Sequence, residues 1–282
     1  MQNQVKNVIA GLAFVLQSLP LLALPQAPVI TYGLVRDDYG RPFGTSVDSP
    51  VLELVRNADR SGRVYARCSV GESGFVGMNY RLSLEIDSTG PNREYAVLEG
   101  AEMFIKATVG TTEKALSPIS VFTTPKQGTE QRLDYTLGAD ADGDGLPDTW
   151  EAWVLEGAGR ESTPAAVAAF RPDDDADGDG MTNLQEFLAN TDPFLATDII
   201  RVTAFELVKG TNRAKVSFTT TRERKFHLIM SETLATPCWA PVAASATVDG
   251  ALTYDALDGN GRTRSLYVDA RLNAMFLRVA VD

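Results

Sequence analysis

The chain has 282 residues, 44% of them hydrophobic, with a formal net charge of −11. That length and apolar content suffice for two domains and a small module, and they exclude a wholly disordered chain. Residues 138–192 carry ten Asp and four Glu against Arg160 and Arg171, a local charge of −12 that leaves +1 for the remainder. An acidic segment of this kind argues against a nucleic-acid partner and for a multivalent cation.

In chain order, Met1–Asn7 is short with one Lys, and Val8–Leu24 is an apolar run broken by Gln17 and Pro20. Such a run suits an export signal (residues 1–27, cleaved after Ala23 or Ala27) better than a membrane anchor. An uncleaved amphipathic or membrane-bound start is the alternative. The expectation is a secreted chain, extracellular or at the cell surface, with the periplasm also open and no membrane span once the signal is removed. Cys68 and Cys238 are too few for a disulfide framework. A buried thiol at Cys68 is favoured, with a bridge between the two left open.

From residue 28 to 138 the pattern is β. Tyr80, Leu82, Leu84 and Ile86 alternate with Arg81, Ser83, Glu85 and Asp87. Val64–Val70 and Met103–Val109 alternate in the same way. Ile30–Val35, Val51–Val55, Ile119–Thr123 and Leu133–Leu137 are further candidates. Turn-forming clusters such as Tyr39–Pro42 and Ser88–Asn92 lie between them, which predicts an antiparallel sandwich of about seven strands. Gly33-Leu-Val-Arg-Asp-Asp-Tyr-Gly-Arg-Pro42 resembles the opening strand and turn of carboxypeptidase-regulatory-like (transthyretin-like) domains, and Tyr80–Leu84 resembles a following strand. The resemblance implies a structural or binding module.

Residues 139–195 hold two twelve-residue loops, Asp140–Glu151 and Asp175–Glu186. Calcium takes six to eight oxygens, and carboxylates at i, i+2, i+4 of a turning loop converge on it. In the first loop Asp140, Asp142 and Asp144 would be ligands 1, 3 and 5. The Leu146 carbonyl would be ligand 7, Asp148 ligand 9 and Glu151 ligand 12. In the second the set is Asp175, Asp177, Asp179, the Met181 carbonyl, Asn183 and Glu186. Gly145 and Gly180 occupy the sharp turn. A solvated acidic linker is the competing interpretation; the repetition and the mutual repulsion of packed carboxylates argue against it. Magnesium prefers rigid octahedral hydration, and zinc would lack His or Cys donors.

Short helices should follow each loop. Pro147 suits a first helical position, with Trp150, Trp153 and Val154 as its apolar stripe. Thr163 should cap a second helix. Thr182 and Gln185 have capping-box spacing before Leu184, Phe187 and Leu188. Pro147 has no backbone N–H, so the backbone link between partnered loops cannot form in both directions. The motifs Asp-x-Asp-Gly-Asp-Gly-Leu-Pro-Asp-x-Trp-Glu and Asp-x-Asp-Gly-Asp-Gly-x-x-Asn-x-x-Glu-Phe, with Asn190-Thr-Asp-Pro193, resemble bacterial thrombospondin type 3 calcium repeats. The resemblance implies an extracellular, calcium-stabilised connector with structural or adhesive roles at a cell surface or matrix. Dockerins are the nearest rival, but the position 10 and 11 pairs, Thr149-Trp150 and Leu184-Gln185, do not look like a duplicated recognition surface.

Residues 196–282 return to β, with candidates at Val202–Val208, Ala214–Thr220, Lys225–Met230, Leu252–Tyr254, Ser265–Val268 and Phe276–Val281. They predict a second antiparallel sandwich, so the fold class is mainly β with a small helical calcium module between two sandwiches. Lys225–Trp239 resembles the C-terminal β domains that follow such acidic loops in secreted bacterial proteins, which implies a core role for Trp239. His227, the single histidine, falls on the polar side of its strand and reads as a surface residue. No phosphate loop, nucleophile elbow or metalloprotease helix is present, so no enzyme is expected. The expectation is a calcium-binding structural or adhesion protein. The alternative is a dockerin-like or glycan- or protein-binding module of a surface assembly, with a cell-surface or matrix protein or a glycan as its partner.

Overall fold

The computed structural model describes residues 27–46, 48–56, 61–71, 77–86, 97–118, 121–234, 238–271 and 276–282. The export-signal stretch up to residue 26 and the turn expected at Ser88–Asn92 lie outside them. No described helix is long and apolar enough to cross a membrane.

The fold is mainly β. Its N-terminal part contains β1 (Val29–Gly33), β2 (Val35–Arg36), β3 (Val51–Val55), β4 (Val64–Ser69), β5 (Tyr80–Leu84) and β6 (Glu102–Val109), followed by β7 (Thr112–Lys114), β8 (Leu116–Ser117), β9 (Val121–Thr123), β10 (Glu130–Arg132) and β11 (Tyr135–Leu137). The sheet β4-β3-β6-β7, with β9 also on β6, is antiparallel throughout. The facing strands form the sheets β10-β1-β5 and β2-β11-β8. Alternation sorts the side chains: in β5, Tyr80, Leu82 and Leu84 are buried while Arg81 and Ser83 are exposed. Leu52, Leu54, Met103 and Ile105 of one layer join Val29, Leu82, Leu84 and Tyr135 of the other in a single core. Each such fully buried side chain contributes about 1.5–3 kcal/mol.

Two pairings depart from the all-antiparallel expectation. The chain at 130–136 runs alongside 30–36 in the same direction, so β1–β10 and β2–β11 are parallel. A period-two pattern fixes which face is buried and carries no information on strand direction. The short strands β7, β8 and β10 also lack the apolar alternation that would have marked them.

The helices are α1 (Asp148–Gly157), α2 (Pro164–Val167) and α3 (Asn183–Ala189). Pro147 is the extended residue that caps α1, one position before its expected place. The Thr163 side chain accepts the Ala166 amide, and the Thr182–Gln185 capping box is complete. A second core gathers Leu146, Trp150, Val154, Leu155, Phe170 and Phe187, with Tyr39 of the N-terminal part packed on it. Trp153 is not in this core: it is 59% exposed. Leu155 takes the buried position, and the Trp153 ring meets the edge of Tyr39 instead (centroids 6.2 Å, 87°).

The C-terminal part contains β12 (Val202–Val208), β13 (Arg213–Phe218), β14 (Lys225–Ser231), β15 (Ala240–Pro241), β16 (Leu257–Asp258), β17 (Arg264–Asp269) and β18 (Phe276–Val281). One antiparallel sheet is β12-β13-β17; the other joins β15, β16 and β18 to β14. Phe218, Phe226, Leu228 and Val268 lie in the core between them. Thr253 makes only an isolated bridge to Ala244, short of the strand expected there.

His227 is not a surface residue. Its side chain is 12% exposed, and Nδ1 lies 3.3 Å from Asp282 Oδ2. Trp239 stands outside the core, half-buried, with the Arg278 guanidinium 4.2 Å over its ring. The two cysteines do not pair. Burial pushes the Cys68 thiol up to about 11, which keeps it protonated and unreactive.

Candidate metal centre

Each acidic loop is a tight coil built by its own carboxylates. In the first, Asp140 Oδ1 accepts the amides of Gly143 (2.8 Å) and Asp144 (3.1 Å), and its Oδ2 accepts that of Gly145 (3.0 Å). Asp144 Oδ1 accepts the Leu146 amide (2.9 Å). The second loop repeats the plan: Asp175 accepts Gly178 (2.7 Å) and Gly180 (2.9 Å), and Asp179 accepts Met181 (2.7 Å). Gly145 at φ +102° and Gly180 at φ +99° make the turn that a side chain would strain. The position-9 amide closes each loop onto the residue before it, Asp148 onto the Ala139 carbonyl and Asn183 onto that of Asp174, both at 2.8 Å. No β-bridge joins the loops among the described residues, in keeping with Pro147 at position 8 of the first.

This coiling gathers the aspartates and leaves Oδ2 of Asp177 and of Asp179 buried without a partner. Carboxylate oxygens of Asp140, Asp142 and Asp144 come within 4.8 Å of one another, and so do those of Asp175, Asp177 and Asp179. Behind each trio lies a buried glutamate. Glu151 is fully buried, and neither of its carboxylate oxygens has a hydrogen-bond partner. Burial, then the charges of Asp144 and Asp142, pushes its carboxyl up to about 8. Glu186 is equally buried, with Oε2 unpartnered and its carboxyl raised to about 8 by burial and by Asp177 and Asp179. Asn183 has Oδ1 unpartnered while its Nδ2 donates to the Arg171 carbonyl (2.7 Å). Asp148 sits at the first loop's mouth, where Oδ1 accepts the Ala141 amide (2.9 Å). Leu146 and Met181 follow the turn glycines, and the Leu146 side chain is buried in the helical core.

Orphaned buried carboxylates are costly, because a buried charge needs a partner. A cation that accepts several oxygens at once is a partner these clustered carboxylates could hold. The donors are hard, and among the described residues no Cys or His joins them, which fits an oxygen-seeking ion such as calcium better than zinc. The residues present therefore fit a divalent oxygen-seeking ion in both loops.

Supporting groups absent from the twelve-residue pattern come from elsewhere in the chain. The buried Ser117 hydroxyl of β8 donates to Asp140 Oδ2 (2.5 Å), tying the first loop to the N-terminal sheets. The Thr191 hydroxyl donates to Glu186 Oε1 (3.4 Å). Asp192 and Asp198 add negative charge near the second loop: Asp192 acts on Asp177, and Asp192 and Asp179 help burial raise the Asp198 carboxyl. Ser117 precedes Asp140 by 23 residues, beyond the reach of any local spacing.

The fold and site define a mainly-β protein with two like carboxylate loops, each followed by a short helix. No family model matches the chain, and neither a curated protein nor a solved structure matches it.

Proposed function

We propose that the chain is a calcium-binding structural protein of the extracellular side, in which two ions brace the helical segment between two β parts. The observation that carries this is Glu151: a fully buried carboxylate with both oxygens unpartnered, close enough to an aspartate trio to feel its charge, in a site whose plan recurs at Glu186. Bound calcium supplies positive charge and six to eight coordination positions. The chain's own residues do the rest. The loop amides hold one oxygen each of Asp142, Asp144, Asp177 and Asp179 and leave the other for the ion, while Asp140 and Asp175 accept amides on both oxygens and brace the coil. The buried glutamate closes the inner side, and the loop-to-helix junction fixes the first turn of α1 or α3.

Binding an ion to the folded form alone stabilises that form by mass action. Sites of this kind in extracellular modules have dissociation constants of about 10⁻⁴–10⁻³ M, so they fill outside a cell and empty inside it. Scattering and limited proteolysis with and without a chelator test the bracing role. Calcium is expected to compact the chain and protect residues 139–195 from cleavage; equal compactness and resistance in chelator would rule the bracing role out.

A further inference from the structure

Helix α3 is seven residues long, too short to hold itself in water, so its ends must be fixed from outside. Its first turn carries Asn183 and Glu186, both buried at the second loop. Its last four carbonyls, which no helix satisfies internally, are all accounted for. That of Glu186 accepts the amides of Asn190 and Thr191. Those of Phe187 and Leu188 accept Arg224, at 3.0 Å from Nη2 and 2.8 Å from Nε, and that of Ala189 accepts the Thr221 hydroxyl. Arg224 and Thr221 belong to the turn between β13 and β14 of the C-terminal part. The same Nη2 donates to the Tyr39 carbonyl (2.8 Å) in the N-terminal part, and beside it Arg41 pairs with Glu223 (2.8 Å). Arg224 is 2% exposed. One buried guanidinium thus touches all three parts of the fold, and it does so one and two residues beyond the second loop's terminal glutamate.

We propose that Arg224 is a calcium-dependent latch: an ion in the second loop seats α3, and the seated α3 presents the carbonyls that lock the C-terminal part against the Tyr39 turn. The fork of the guanidinium is what allows several carbonyls to be held at once, and a cation is favoured at a helix C-terminus. Without the ion, the buried Glu186 Oε2 and Asn183 Oδ1 have no partner, and the first turn of α3 loses its anchor. The end of α1 has no such link to the C-terminal part among the described residues: the carbonyls of Val154, Leu155 and Glu156 accept the amides of Ala158, Arg160 and Gly159 in the turn that follows it. The latch rests on the ion binding proposed above.

Coupling between two sites is reciprocal, so breaking the latch must weaken the second loop, and much more than the first. Calcium affinity is measured on the intact chain in a Glu151→Gln background, where only the second loop remains, and in a Glu186→Gln background, where only the first does. Arg224→Lys keeps the charge and removes the fork. It is expected to weaken calcium about fivefold or more in the first background and to change it by less than about twofold in the second. If neither background binds calcium, the ion-binding proposal and the latch fall together. If both bind and Arg224→Lys weakens them equally or not at all, the latch alone is wrong. A second measurement leaves Arg224 intact, in case its replacement unfolds the chain. Spin labels at Lys114→Cys and Leu207→Cys, with Cys238→Ser, report the distance between the two β parts. Calcium should narrow that distance distribution with Glu151→Gln and leave it broad with Glu186→Gln; an equal response in both contradicts the latch.

Discussion

Trp150 and Phe187 pack edge to face in the helical core, with ring centroids 5.1 Å apart and planes at 68°. Trp150 immediately precedes Glu151, and Phe187 immediately follows Glu186. The residues that carry the two buried carboxylates are therefore linked through one aromatic contact between their chain neighbours, and the loops share a core although no backbone ladder joins them among the described residues.

Trp150→Ala removes that contact. Trp150 is 3% exposed, so the expected cost is about 3–5 kcal/mol. Thermal denaturation in calcium checks the size of the loss, and calcium titration should show both loops weakened rather than the first alone.

Glu151→Gln and Glu186→Gln keep the shape of the side chain and remove its charge. In chelator at pH 8–9 each variant is expected to be at least as stable as the parent, because an uncompensated buried charge is gone. In calcium each should lose the stabilisation from its own loop. Melting curves in both conditions check the crossing of the two effects.

The pH dependence follows from the same carboxyls. Both are raised from near the ordinary glutamate value to about 8, so the ion-free fold binds more protons than the unfolded chain between those limits. That contribution is complete below the unfolded pKa and is lost as pH rises through about 8. Ion-free protein should thus lose stability from about pH 4.5 to pH 8, while calcium affinity rises over the same window and binding releases protons. Calorimetry in buffers of different ionisation enthalpy counts the protons. A release that does not fall on going from pH 7 to pH 9 contradicts the assignment.

Gly40→Ala tests the crowded turn beside Arg224. A Cβ there would stand 2.8 Å from Arg224 Nη2 and 2.9 Å from the Phe187 carbonyl oxygen, at φ +75°. The expected loss is about 1–3 kcal/mol by chemical denaturation. Trp153→Ala is the contrast: with the ring 59% exposed, less than about 1 kcal/mol should be lost.

Much of the site was legible because its geometry is local. A carboxylate every second residue, glycine at the sixth position and glutamate at the twelfth are adjacent in the chain, and backbone turns alone bring the trios together. Thr163, the Thr182–Gln185 box and the β5 alternation were legible for the same reason. What escaped depends on distant partners. The Tyr39 turn was legible as a turn, yet its contacts with Trp153 and Arg224 span more than a hundred residues. Trp153 fits a helical stripe and is left out because the second core closes over Leu155. His227 alternates outward, and its burial comes from Asp282 at the far end of the sheet partner. Parallel pairing of β1 with β10 leaves no mark in either segment alone.

The central claim is that both loops hold calcium, and titration calorimetry of the intact chain at pH 8 tests it most directly. The account predicts saturable binding of two calcium ions per chain at about 10⁻⁴–10⁻³ M, weaker binding of magnesium, and one ion lost with each of Glu151→Gln and Glu186→Gln. Folded protein that shows no saturable calcium binding up to about 10⁻² M would contradict it.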